Sequence, residues 1–247
     1  MSQQNIKFVF FGSSRFSEIV LKELEATGFS PILKITDAKA PLPEIPVADI
    51  FIVASFGKII PQEILDKPRL GSINVHPSLL PELRGPSPIQ NLILQNKTPG
   101  VTIIQMDEKM DHGPILAQEK VSIEPWPDHY EIVEEKLAQA GGKILVKILP
   151  ELPIPTPQED EQATFCKFIN KEDGLLDLDG DAEMNLRKVF AYSTWPGAFF
   201  FFKTKTRGEI RIVVKEAKIE EGRFVPTRVI PEGKKEMVWS DFLRGNS

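Results

Sequence analysis

The sequence predicts an α/β protein in two parts. The first is a Rossmann-like domain with a mainly parallel sheet; the second is a small β-rich domain of the truncated OB-barrel kind. Three observations carry this prediction. Up to Leu149, strand-length apolar runs alternate with segments of helical period, the grammar of a sheet covered on both faces. Prolines at 150, 153, 155 and 157, followed by the acidic run EDE, then form a stiff polar connector. Beyond Asn185 the pattern changes to β-rich runs separated by turn residues. The expected boundaries are 1–158 for the first domain, 159–184 for a linker region and 185–247 for the second domain.

The elements follow in order. NIKFVFFG, from Asn5 to Gly12, is a compact apolar strand that runs into a Gly-Ser-Ser turn. After that turn Ile19, Val20, Leu21 and Leu24 recur at helical spacing. ADIFIVASFG, Ala48 to Gly57, reads as a buried strand with a helix after it from Pro61 to Asp66. GSINVH gives a further strand, SPIQNLILQ a helix, GVTIIQM a strand, and HYEIVEEKLAQAGGKILVKIL a long amphipathic helix. In the last part GAFFFFKTK, GEIRIVVKEAKI and GRFVPTRVI read as strands, and the run Phe199 to Phe202 as one whose rings alternate between faces.

Composition bounds the function. A chain of 247 residues with 41% hydrophobic content can bury substantial cores. No stretch of about 18 apolar residues and no secretory leader are legible, so the expectation is a cytoplasmic protein away from membranes, working as a monomer. The single Cys166 excludes an internal disulfide and a multi-cysteine metal site, and no His-x-x-x-His or dense acidic loop stands at ligand spacing; no metal is expected. The turn at Gly12 has one glycine where a dinucleotide fingerprint needs three. The net charge of −5 hides an asymmetry: residues 1–184 hold 17 basic and 28 acidic residues, residues 185–247 hold 13 and 7. Such a basic tail is either a footprint for a polyanion or a solvated sheet surface.

The candidate chemistry lies in INVHPSLLPELRG and MDEKMDHGPIL. Asn74 and His76 are one residue apart, so on a strand both side chains leave the same face, near a C-terminal strand end. A loop after the next strand carries Asp107, Asp111 and His112, and a carboxylate from it reaches the imidazole if the strands are neighbours. An Asn, a His and an Asp so placed suit acyl transfer to an amine. Asn74 would stabilise an oxyanion, His76 would move protons, and Asp111 would orient the imidazole. Asn-x-His at a strand end is also ordinary turn chemistry, and His112 is a second candidate for the base. His129 reads as the start of a surface helix.

Taken together, FVFFGSSRFSEIVLKEL, INVHPSLLPELRGPSPIQ, GVTIIQMDEKMDHGPIL, ATFCKFINKEDGLLDL, VFAYSTWPGAF and PEGKKEMVWSDFLRG resemble the folate-dependent formyltransferases, and within them the methionyl-tRNA formyltransferase family. The resemblance runs over nearly the whole chain. It implies transfer of a formyl group from 10-formyltetrahydrofolate to the α-amine of initiator methionyl-tRNA, with Asn74, His76 and Asp111 as the catalytic trio. Ser78, Leu79, Leu80 and Pro81 match the loop that contacts folate. Lys203, Lys205, Arg207 and Arg211 are the candidate tRNA phosphate contacts. Two departures stand out: TDAKAPLPEIPVAD is short and proline-rich where the family carries a long basic loop, and the C-terminal barrel is abbreviated. An N-formyltransferase acting on an amino sugar nucleotide would share the trio, as would a hydrolase releasing formate; a non-catalytic tRNA-binding protein would not need it.

Overall fold

The structure is a computed structural model that describes residues 6–205 and 208–246. It divides into two compact units. The first comprises the chain up to Pro88, Thr98–Ser122 and Glu134–Lys167; the second comprises Ile89–Lys97, Ile123–Val133 and Phe168 onward.

The chain enters the first unit with β1 (Phe8–Phe11), every residue of which is buried. The Gly12 turn leads to α1 (Arg15–Ala26), started by Ser14, whose hydroxyl accepts from the Ser17 N–H while Ser17 caps the Ser14 N–H in return. A short β2 (Leu33–Ile35), β3 (Ile50–Val53), the single turn α2 (Gln62–Leu65) and β4 (Ser72–His76) follow. After α3 (Pro88–Leu94), which counts with the second unit from Ile89 on, come β5 (Gly100–Gln105), β6 (Ile115–Lys120) and the long α4 (Tyr130–Ile148), which belongs to the first unit from Glu134 on. The sheet order is β2-β1-β3-β4-β5-β6. The pairs among β2, β1, β3 and β4 are parallel; β5 runs antiparallel to β4, and β6 antiparallel to β5. Strand–helix alternation predicted the parallel part. β6 reverses because it follows β5 directly through the 106–114 loop with no crossover helix, while β5 lies antiparallel to β4 although α3 stands between them.

One core cluster gathers Val9, Phe11, Ile35, Phe51, Val53, Ile60 and Leu65, while the alternate residues Phe8, Phe10, Ile50 and Ile52 are buried on the other face. Gly141 lets α4 lie close on the sheet, since a Cβ there would come within 2.5 Å of Val75 Cγ1. This buries β4 on both sides and leaves its end as the place where polar side chains emerge.

The second unit holds α5 (Ala182–Ala191), begun by Asp181, whose carboxylate accepts from the N–H groups of Glu183 and Met184. It continues with β7 (Ala198–Thr204), β8 (Gly208–Glu220), β9 (Arg223–Pro231), β10 (Met237–Val238) and α6 (Trp239–Arg244). The four strands form an antiparallel meander, β10-β9-β8-β7. Among the described residues this sheet is open, so the truncated OB-like barrel resolves into an open sheet whose β7 edge is met by the Leu176 N–H, which donates to the Phe199 carbonyl at 2.7 Å. Phe200, Ile212, Val214, Val229 and Phe242 centre its core, and Phe202, Trp239 and Phe242 close it with ring contacts of 5.3–5.6 Å.

The stretch expected as a linker is divided between the units. Residues 159–167 belong to the first and 168–184 to the second, and the boundary at 185 falls inside α5, where Asn185 is buried and its amide donates to the Asp177 carbonyl at 2.6 Å. Composition marks charge and proline content, and neither reports which side a polar segment hydrogen-bonds to.

Candidate active site

Asn74 and His76 leave the same face of β4, and His76 is 3% exposed. A buried imidazole must place its two nitrogens, and here both have partners. Nε2 lies 3.1 Å from the Leu83 carbonyl, which only accepts, so Nε2 carries a proton. Nδ1 faces Asp111 Oδ1 at 3.5 Å. The ring is therefore bracketed, with a carbonyl on one side and a carboxylate on the other.

Asp111 arrives by a different route from the one its sequence position suggests. Because β5 is antiparallel to β4, the loop after β5 leaves near Ser72, with the Met106 N–H donating to the Ser72 carbonyl, and must double back towards His76. It does so through a left-handed turn at Asp111, φ 52°. The carboxylate is anchored by Oδ2, which accepts from the Gly85 N–H at 2.8 Å, while Oδ1 lies 3.5 Å from both His76 Nδ1 and Asn74 Nδ2. One oxygen is fixed and the other is free to exchange partners. Burial raises the Asp111 carboxyl; the charge and hydrogen bond of His76, the Gly85 N–H and the charge of Arg84 outweigh that and hold it below its ordinary value.

Several residues around this pair carry no signal in the sequence. Arg84 is 4% exposed and donates to Gln158 Oε1 from Nε at 3.1 Å and Nη2 at 2.8 Å, and to Asp160 Oδ1 at 2.7 Å. The Gln158 amide donates to the carbonyls of Asp111 and Gly113 at 2.9 and 2.7 Å. The hydrogen bond from Arg84, more than the charge of His112, keeps Asp160 below its ordinary value. His112 lies 2.6 Å from Asp107 and 3.3 Å from Asp160, so this alternative base is enclosed by carboxylates away from Asn74. His129 caps the start of α4 and stacks edge-on against Phe190. The Cys166 thiol is buried against the Leu83 and Arg84 carbonyls, and burial pushes it up. Among the described residues no three His, Cys, Asp or Glu side chains converge as a metal site.

The Ser78–Pro81 loop is pinned from beneath. Thr102 Oγ1 donates to the Ser78 carbonyl at 2.7 Å and accepts from the Leu80 N–H at 3.0 Å, and Gln118 donates to the Leu80 carbonyl at 2.8 Å. Ser78 is fully buried with its hydroxyl donating to the Glu82 carbonyl, and Leu80 is buried too; Leu79 and Pro81 are part-exposed. In the second unit Lys203 and Arg211 share one face of the sheet with Phe199 and Phe201, and the Arg211 guanidinium sits 3.9 Å over the Phe199 ring. Lys205 is exposed after β7, and Arg207 lies outside the described residues.

A Rossmann-like sheet with a buried histidine facing a carboxylate at a strand end defines an α/β protein carrying the groups that general acid–base chemistry uses. Residues 11–149 match the family described as formyl transferase, and the chain belongs to that family. A methionyl-tRNA formyltransferase from Paramagnetospirillum magneticum is 36% identical over 230 residues, covering 81% of this chain and 72% of that one. Among solved structures, methionyl-tRNA formyltransferase from Clostridium thermocellum shares the fold at a TM-score of 0.71 and 19% identity, over 92% of this chain and 98% of that one. HypX from Aquifex aeolicus, solved in complex with tetrahydrofolic acid, shares it at 0.69 and 18%, over 97% of this chain and 47% of that one.

Proposed function

We propose that this protein transfers a formyl group from 10-formyltetrahydrofolate to the α-amine of initiator methionyl-tRNA, acting in the cytoplasm as a monomer. The observation that carries the chemistry is the bracketed imidazole: Nε2 on the Leu83 carbonyl, Nδ1 on Asp111, Asn74 alongside. The acceptor reading is supported by the relatives' shared name and by the basic tail, 13 basic against 7 acidic residues over 185–247.

A free α-amine titrates near about 7.7–8.0, so a useful fraction is neutral at physiological pH. Its lone pair attacks the formyl carbon, a C–N bond forms, and the carbonyl π pair moves to oxygen. The Asn74 amide is placed to stabilise that oxyanion, and the His76 imidazole, with Nε2–H on the Leu83 carbonyl, keeps Nδ1 to accept a proton. The two 3.5 Å contacts to Asp111 Oδ1 are the loose side of the site, where a substrate atom can insert while Oδ2 stays anchored on Gly85. The new ammonium passes its proton to the histidine–aspartate pair. As the intermediate collapses, the bond to the folate nitrogen breaks and that nitrogen leaves with a proton from the same pair. Folate would lie along the Ser78–Pro81 loop, meeting its backbone together with Leu79 and Pro81, because Ser78 and Leu80 point inward.

The test is a formyl-transfer assay offering methionyl-tRNA beside a panel of amino sugar nucleotides. Formyl-methionyl-tRNA as the product upholds the reading, and formylation of a sugar alone replaces the acceptor. His76→Ala is expected to lower kcat by on the order of 10²–10⁴-fold; retained turnover would remove the imidazole from the mechanism.

A further inference from the structure

The segment that begins within the proline connector reaches both walls of the site. Thr156 pairs with Ile115 on β6 through reciprocal backbone bonds of 2.7 and 2.8 Å. Two residues on, Gln158 turns its amide onto the Asp111 loop, and Arg84 and Asp160 hold it there. Further along, Thr164 Oγ1 accepts from the Leu83 N–H at 2.9 Å, the Thr164 carbonyl accepts from the Arg84 N–H at 2.9 Å, and the Cys166 N–H donates to the Arg84 carbonyl at 2.8 Å. The two groups that bracket His76, the Leu83 carbonyl and the Asp111 carboxylate, are thus held by one strap, residues 156–166.

Both bracket residues need holding. Leu83 and Asp111 sit at φ 61° and 52°, a region that costs an L-residue about 1 kcal/mol or more and persists only where its surroundings over-determine it. At Asp111 the determinant is Gln158. Both of its amide hydrogens are committed to the carbonyls on either side of His112, those of Asp111 and Gly113, and its oxygen takes two bonds from Arg84. Two donors and one acceptor at those points describe a primary amide. A carboxylate of the same shape would set an acceptor against two carbonyls, and an aliphatic side chain would leave them unpaired.

We propose that Gln158 is a positioning residue: by clamping the carbonyls of Asp111 and Gly113 it fixes the left-handed turn that aims the Asp111 carboxylate at His76. Arg84 and Asp160 orient the amide, and Thr164 does for the Leu83 carbonyl what Gln158 does for Asp111. The kinetic part of this inference rests on the formyl-transfer reading above; the geometric part does not.

The experiment uses the full chain with Gln158→Leu, Gln158→Glu, Asp111→Asn, the double variant Gln158→Leu/Asp111→Asn, and Gln162→Leu, an exposed neighbour, as control. Gln158→Glu keeps the acceptor for Arg84 and so guards against loss of folding in the leucine variant. Each Gln158 variant is expected to lower kcat on the order of 10- to 100-fold while KM for 10-formyltetrahydrofolate moves less than about threefold. The double variant should be no slower than Asp111→Asn alone, because a residue acting only through Asp111 has nothing left to act on. Activity of a Gln158 variant within about twofold of the parent, or losses that multiply in the double variant, would overturn the proposal. The second readout is the His76 ring-proton resonances in isotope-labelled protein, assigned among the three histidines with His76→Gln. They should shift in the Gln158 variants as in Asp111→Asn and stay put in Gln162→Leu. If the parent protein transfers no formyl group at all, these shifts still uphold the positioning role while the functional reading fails. Unmoved His76 resonances in a folded Gln158 variant reject the role whatever the activity.

Discussion

Asp111 concentrates three demands in one side chain: an anchored oxygen, an exchangeable oxygen and a backbone turned the wrong way for an L-residue. Its carboxyl is depressed below its ordinary 3.8, so in folding terms its ionised form is favoured by the native state. The contribution is fully present above that value and fades as pH falls through the lower native one. Asp111→Asn is therefore expected to be less stable than the parent at neutral pH, with the gap narrowing below about pH 4; urea unfolding across pH 3–7 measures it. A gap independent of pH would mean that the carboxylate's charge contributes nothing to folding. Gly113 has a similarly strict position, since a Cβ there would fall 1.8 Å from the Gln105 carbonyl oxygen, and only glycine lets the loop return past the end of β5.

At the scale of elements, what the sequence made legible was what has a period. β1, β3, β4, β5 and α4 announce themselves by runs and repeats, and Asn74 and His76 were readable as a pair because strand geometry puts alternate residues on one face. The three-residue β2, the polar β6 (ILAQEK) and α5 carry weak patterns and went unread. Arg84, Gln158 and Thr164 had no signal at all, because their meaning lies in contacts 45 or more residues away along the chain. Thr102 is the same kind of residue inside β5. It serves as donor to the Ser78 carbonyl and acceptor for the Leu80 N–H and the Gln118 amide. Thr102→Val keeps the strand's shape and strips all three, so we expect a loss of about 1–3 kcal/mol in unfolding free energy together with a raised KM for the folate. Unchanged folate KM in a destabilised variant would separate the pinned loop from folate binding.

For the molecule as a whole, the charge division is the feature that bears on the acceptor. The acidic excess over residues 1–184 repels a polyanion in general, so tRNA would be drawn by residues 185–247, and Lys203 and Arg211 lie together on one sheet face there. Replacing each with alanine is expected to weaken tRNA binding and reduce the slope of log affinity against log salt by roughly one per residue, leaving folate KM alone. Arg211 is the sharper case because its stacking on Phe199 already occupies one side of its guanidinium. A salt slope unaltered by both changes would place the phosphate contacts elsewhere. The strap has a consequence in time. The ribosome delivers the chain from its N-terminus, and the six strands, the histidine and the aspartate have all emerged by Lys120, well before the strap. Until Gln158 and Thr164 follow, the nascent chain holds Asn74, His76 and Asp111 without the strap proposed to aim them.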